Sequence, residues 1–200
     1  MSGELEPDPT ADVPLVVDLD GTLVLADLLD ESAMSALRRS PRAFLGALPH
    51  VLRGERAAAK RRLAEAGPVD AATLPYRDAL VAVLREEKAR GRRLVLATAS
   101  DELLAVRVAT RLGLFDEVLA SDGVRNLGGK EKREELVARF GEKGFDYAGD
   151  RRADLPVFRS ARRAILAGPA VRLREEIEAA GTPVVGELAD RPVGAATLFS

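Results

Sequence analysis

Asp18 and Asp20 follow the short apolar run Val13-Pro14-Leu15-Val16-Val17, and Gly21-Thr22 follow them. In extended backbone, residues two apart point to the same side, so the two carboxylates share a face. Gly21 permits a tight turn in which backbone N–H groups can face an anion. Other polar groups stand at the ends of similar runs. Thr98 closes Arg93–Ala97, Ser121-Asp122 closes Glu117–Ala120, and Gly149-Asp150 closes Phe145–Ala148, with Asp154 four residues on. Three or four carboxylates at one point repel one another unless a cation neutralises them. There is no cysteine and a single histidine, His50, so the donor set is all oxygen. That set selects Mg²⁺ rather than zinc. The same counts exclude disulfide scaffolds, zinc–thiolate sites and thiol catalysis, and they argue against a Ser-His-Asp triad.

These residues need elements to bring them together. Apolar runs of four or five residues, rich in valine, read as buried parallel strands. A fifth run, Arg163–Ala167, ends at Gly168-Pro169. Helical patterns alternate with the runs: Asp78–Arg90, stopped by Gly91; Asp101–Leu112, with Ser100 as N-cap; Lys132–Phe140; and Leu155–Ala161. Strand–helix alternation predicts an α/β, Rossmann-like doubly wound parallel sheet. The polar strand ends then meet at the carboxyl edge of the sheet, where such folds bind ligands.

One stretch breaks the alternation. Roughly seventy residues separate the first two strands, far more than a strand-to-helix connection needs. Ala26–Arg39, Pro41–Leu52 and Gly54–Ala66 are helical by period, which predicts a helical cap inserted after the first strand, over the ligand edge. The expected organisation is an N-terminal tail at 1–12, a core of 13–25 and 76–186, a cap at 26–75 and a C-terminal tail at 187–200. A helix over Pro169–Ala180 and a short strand over Thr182–Gly186 end the core.

Composition sets the class. The chain has 200 residues, 46% hydrophobic and 31% charged, and a net charge of -2, so a globular domain is expected and a nucleic-acid binder is not. No apolar run is long enough to span a bilayer, Met1–Thr10 is acidic and unlike a signal peptide, and the lack of cysteine fits the cytoplasm.

Asp18-Leu19-Asp20-Gly21-Thr22, Thr98, a downstream lysine and Gly149-Asp150-Arg151-Arg152-Ala153-Asp154 resemble the four motifs of the haloacid dehalogenase-like hydrolases. More narrowly, Tyr147–Pro156 and Leu96–Asp101 resemble the domain of that family fused ahead of UbiA-family prenyltransferases. The resemblance implies a Mg²⁺-dependent phosphatase acting on a small phosphorylated substrate. Asp18 would be the nucleophile and Asp20 the general acid/base. Thr98 and the Ala99 backbone N–H would hold phosphate oxygens. Asp150 would ligate Mg²⁺ with Asp18 and the Asp20 carbonyl, and Asp154 would support that shell. The motif lysine falls at Lys130 or Lys132. The family spacing, four residues before a core leucine, favours Lys132, which precedes Leu136. Asp27 would meet a substrate amine, as the acid at this position does in phosphoserine phosphatases, although that acid is usually glutamate; alternatively it caps a helix. The narrower resemblance implies a membrane-embedded prenyltransferase as partner and a place at the inner face of the membrane. The alternative function is a weakly active or inactive module that regulates such a partner.

Other polar residues read as structural. Asp122 suits a turn, Asp101 a first helical turn, His50 packing, and the paired arginines a solvated surface. Ala43–Leu48, flanked by Arg42, Arg53, Arg56, Lys60, Arg61 and Arg62, can pack on neighbouring helices or lie on an anionic membrane.

Overall fold

In the computed structural model, which describes residues 13–188, the short apolar runs form six parallel strands in the order β3-β2-β1-β4-β5-β6. The elements are β1 (Leu15–Val17), α1 (Leu28–Arg39), α2 (Pro41–Leu52), α3 (Arg56–Ala66), α4 (Asp78–Ala89), β2 (Leu94–Asp101), α5 (Glu102–Leu112), β3 (Glu117–Ser121), α6 (Gly129–Phe140), β4 (Asp146–Gly149), α7 (Leu155–Ser160), β5 (Ala164–Ala167), α8 (Val171–Ala179) and β6 (Val184–Leu188). This is the doubly wound α/β, Rossmann-like order, and it reverses direction between β1 and β4. The strands that carry Asp18 and Asp150 are therefore neighbours, with Val17 opposite Ala148.

Both faces of the sheet are covered, which explains why its strands are apolar throughout rather than alternating. Leu15, Val17, Leu94 and Leu96 face one way, onto Leu80 and Leu84 of α4 and Leu104 and Val108 of α5. Val16, Val95, Ala97 and Tyr147 face the other way, onto Leu136 of α6, Val157 and Phe158 of α7, and Leu173 and Ile177 of α8.

Helices α1–α3 form the insert. Leu25 N–H donates to Pro75 O at 2.8 Å and Arg77 N–H to Leu23 O at 3.0 Å, so the chain leaves and returns side by side. The insert's own core is small: Ala36, Ala47 and Leu63, with Leu29, Ala33, Phe44 and Ala66 partly buried around them. Leu28 and Ala64 instead join the core of the sheet, so the insert depends on its seat.

Three local expectations shift. Ser100 is not the N-cap of α5; β2 runs on to Asp101, whose carboxylate accepts from Leu103 N–H at 3.0 Å, while the Ser100 hydroxyl is engaged elsewhere. Helix α6 starts at Gly129, three residues before Lys132. A Cβ on Gly129 would lie 2.1 Å from Ala153 O, so only glycine lets the helix begin against that loop. Strand β6 takes in Glu187 and Leu188, the first two residues of the expected C-terminal tail. The rest of that tail and the tail at 1–12 lie outside the described residues.

At the amino ends of the strands lies a buried charge cluster. Arg92 pairs with Asp146 and, at 2.8 Å, with Glu87, and Arg162 donates to both oxygens of Asp146 at 2.9 and 2.8 Å. Breaking such a pair strands the remaining charge. Asp146→Ala is expected to lower stability by about 3 kcal/mol or more in urea unfolding.

Candidate active site

Asp18 stands one residue past β1 and is 5% exposed. Its Oδ1 accepts from Lys132 Nζ at 2.8 Å. Lys132, in the first two turns of α6, is 2% exposed and also donates to Tyr147 OH at 3.0 Å and to Asp154 at 3.1 and 3.2 Å. Tyr147 OH in turn donates to Asp154 Oδ2 at 2.8 Å. Asp154 therefore holds the lysine and the tyrosine. Lys130, the other candidate, is exposed and pairs with Glu134 at 3.8 Å.

The electrostatics follow from burial. Desolvation pushes the Asp18 carboxyl up to about 7, against the pull of Lys132. Desolvation also acts to lower Lys132, but Asp18 and Asp154 outweigh it and its pKa ends above the ordinary value. Burial, reinforced by Asp154 and Asp18, raises the Tyr147 hydroxyl well above its usual range, so it stays a neutral donor.

Asp20 is pinned by three donors: Leu28 N–H at 2.8 Å on Oδ1, and Ser100 Oγ at 2.6 Å and Thr98 Oγ1 at 3.3 Å on Oδ2. Since Leu28 opens α1, the first helix of the insert begins on this carboxylate. Thr98 is fully buried and also accepts from Ser100 N–H at 3.0 Å. The Ala99 carbonyl accepts from Ser121 Oγ at 2.7 Å and from Lys60 Nζ at 2.6 Å.

The turn between Asp20 and Thr22 explains its glycine. Gly21 has φ +79, and a Cβ there would sit 2.3 Å from Asp150 Oδ2. Asp150 Oδ1 accepts from Thr22 Oγ1 at 2.9 Å, and burial raises its pKa. Arg77, buried, holds the turn from below, donating to the carbonyls of Thr22 at 2.8 Å and Gly21 at 2.7 Å.

The insert reaches the same place. Asp27 caps α1 through Leu29 N–H at 3.0 Å, and its other oxygen faces both terminal nitrogens of Arg151 at 3.4 Å. Lys60 of α3 donates to Asn126 Oδ1 at 2.7 Å as well as to Ala99 O. Its pKa is lowered by burial although Asp20 and Asp27 oppose this. Arg61 pairs with Asp101 at 3.0 Å. Asp122 is a turn residue, its Oδ1 accepting from the N–H groups of Val124 and Arg125 at 3.0 and 2.7 Å.

Sequence reasoning passed over Tyr147, Ser100, Arg77 and Lys60. Tyr147 did leave a trace, because Gly149 lies on its face and a Cβ there would fall 2.8 Å from the Tyr147 ring. Nothing distinguishes Lys60 from Arg61 and Arg62 beside it.

Among the described residues no three histidine, cysteine, aspartate or glutamate side chains are gathered tightly enough to hold a metal by themselves. Two carboxylates and a backbone carbonyl are a different case. Oxygen donors suit a hard cation that keeps several waters. The raised Asp18 shows that Lys132 alone does not offset its burial. The residues fit Mg²⁺ by donor type and by charge.

A family model described as haloacid dehalogenase-like hydrolase matches residues 15–159. The chain belongs to the haloacid dehalogenase-like hydrolases. It is 38% identical over 172 residues to the uncharacterized protein y4nM of Sinorhizobium fredii (strain NBRC 101917 / NGR234), covering 86% of the chain but 33% of that protein. The chain thus spans about a third of the length of the curated relative it matches. A substrate-bound phosphoserine phosphatase superposes with TM-score 0.59 at 16% identity, over 90% of this chain and 94% of that one. A phosphoserine phosphatase carrying a phospho-aspartyl intermediate analogue superposes with TM-score 0.57 at 16% identity, with the same coverage. At such identities these structures show a shared fold.

The Asp18 shift has a consequence for stability. With a folded pKa of about 7 against an ordinary 3.8, Asp18 binds more proton in the folded state than in the unfolded one. Stability then falls as pH rises from about 4 to about 7. Thermal unfolding in EDTA should show this decline in the wild type and a flatter profile over that window in Asp18→Asn. Parallel profiles would remove Asp18 as its source.

Proposed function

We propose that the protein is a Mg²⁺-dependent phosphatase that hydrolyses a phosphate monoester through an aspartyl-phosphate on Asp18. The observation that carries this reading is Lys132 Nζ at 2.8 Å from Asp18 Oδ1, fixed from behind by Asp154 and Tyr147. A nucleophilic carboxylate that receives a phosphoryl group needs a fixed positive charge beside it. The structural likeness to phosphoserine phosphatase, including one with a phospho-aspartyl analogue, supports the same chemistry.

An Asp18 oxygen attacks phosphorus, the bond from phosphorus to the leaving-group oxygen breaks, and that oxygen takes a proton from Asp20. Water then attacks phosphorus, giving its proton to Asp20, and the bond from phosphorus to Asp18 breaks. Thr98 and the Ala99 N–H hold phosphoryl oxygens. Asp18, Asp150 and the Asp20 carbonyl would hold Mg²⁺, which supplies charge neutralisation for the phosphoryl group. Asp27, Arg151 and Lys60 give the substrate's body a polar, charged surround. Phosphoryl transfer asks mainly for positioning and charge neutralisation, which this set provides.

A second reading draws on the two thirds of y4nM that lie outside the match. In it the protein is a weakly active or inactive module that regulates a UbiA-type membrane prenyltransferase. Release of phosphate from a panel of metabolite phosphates, with Mg²⁺ and with EDTA, separates the two.

Asp18→Asn is expected to abolish turnover with the fold intact by circular dichroism. Lys132→Ala should lower kcat about 10²-fold or more, whereas Lys130→Ala should be near neutral. The opposite ranking would move the motif lysine. Asp150→Ala should raise the Mg²⁺ concentration for half-maximal activity, with partial recovery at high metal. An unchanged Mg²⁺ titration would place the ion elsewhere.

A further inference from the structure

Helix α2 packs mainly on α1 and α3, so it forms the outermost layer of the insert. Among its residues only Ala47 is buried. Its outward face carries Pro41, Leu45, Leu48 and Leu52 at spacings of four, three and four, which at 100° per residue fall within about 60° of one another. Leu45 is 56% exposed, Leu48 42% and Leu52 87%, with Val51 on the margin at 57%. A stripe of large apolar side chains at helical spacing, facing water, marks an interaction surface.

The charge around the stripe identifies what it faces. From Ser32 to Gly54 the chain has no acidic residue but four arginines, Arg38, Arg39, Arg42 and Arg53, in a protein of net charge -2. All four are exposed, and none forms an ion pair among the described residues. Elsewhere some exposed arginines are paired, such as Arg93 with Glu117 and Arg174 with Glu187, and others such as Arg85 and Arg107 are not; what sets this stretch apart is the absence of any acid within it. Arg42 and Arg53 lie roughly 90–110° round the helix from the middle of the stripe, along one margin. An apolar stripe bordered by uncompensated arginines complements a surface with anionic headgroups above an apolar interior.

We propose that the outer face of α2 docks on an anionic lipid bilayer. The leucines enter the boundary between headgroups and chains, and the arginines pair with lipid phosphates. The proposal does not rest on the phosphatase reading, since these residues are apart from Asp18 and its partners.

The test uses phosphatidylcholine vesicles with and without an equal share of phosphatidylglycerol. The wild type should co-sediment with the anionic vesicles, not with the zwitterionic ones, and should be released at about 0.5 M salt. The triple variant Leu45→Ser, Leu48→Ser, Leu52→Ser and the double variant Arg42→Glu, Arg53→Glu should each bind at least about tenfold more weakly. All five positions are exposed, so the fold should survive, and circular dichroism checks that. The chain has no tryptophan, so Leu52→Trp gives a single reporter whose emission should shift to the blue only with anionic vesicles. Failure of the wild type to bind, or equal binding by the leucine variant, overturns the proposal. A dimer in sedimentation equilibrium, with the indole emission of Leu52→Trp already blue-shifted without lipid, would overturn it too, in favour of a second copy as occupant.

Discussion

A carboxylate buried beside a single ammonium group is the constraint on which the rest of the structure depends. Asp18 and Lys132 are nearly excluded from water, and neither could be charged there alone. Lys132 must reach Asp18 from α6, so that helix has to begin close against the loop after β4. Gly129 meets that demand by lacking a side chain where Ala153 O approaches. The nitrogen must also be held from behind, which Asp154 and Tyr147 do, and the Tyr147 ring stacks edge-on to Phe158 in the core at 5.0 Å. Hydrophobic packing on one face of the sheet therefore sets the position of a charge at its edge.

The insert completes the enclosure. Its hydrophobic core is too small to hold three helices firmly by itself. What seats it over the site is polar: Leu28 N–H on Asp20, Lys60 on Ala99 and Asn126, Arg61 on Asp101, and Asp27 facing Arg151. Leu28 and Ala64 add apolar contacts, since both join the core of the sheet.

Much of this was legible in the sequence because parallel strands announce themselves. An apolar run of four or five residues marks a strand and its carboxyl end, and three of the five runs lead into Asp18, Thr98 and Asp150. The long gap before the second strand revealed the insert. What escaped depended on distances through space. Ser100 reads as a helix cap until Asp20 is found 2.6 Å away, and Arg77 belongs to no motif until it is found on the carbonyls of the Gly21 turn. Lys60 belongs to a basic helix whose sequence has no feature marking the side chain that reaches Ala99 and Asn126.

The two ends of the sheet show why buried charge at one of them points to function. At the amino end Arg90, Arg92 and Arg162 meet Glu87 and Asp146, so each of these carboxylates has more than one cation against it. At the carboxyl end the buried carboxylates of Asp18 and Asp154 share one buried ammonium, Lys132, while Asp20 is met by the neutral donors Leu28 N–H, Ser100 and Thr98. The same fold contains both clusters, and burial is similar in each. The second has more buried carboxylates than buried ammonium groups, and burial pushes the Asp18 carboxyl up to about 7 against the pull of Lys132, with Asp154 and Asp20 adding to the rise. A structural network would have no reason to carry that excess. A site that takes up a cation would, because the cation relieves the excess and can then hold an anionic ligand.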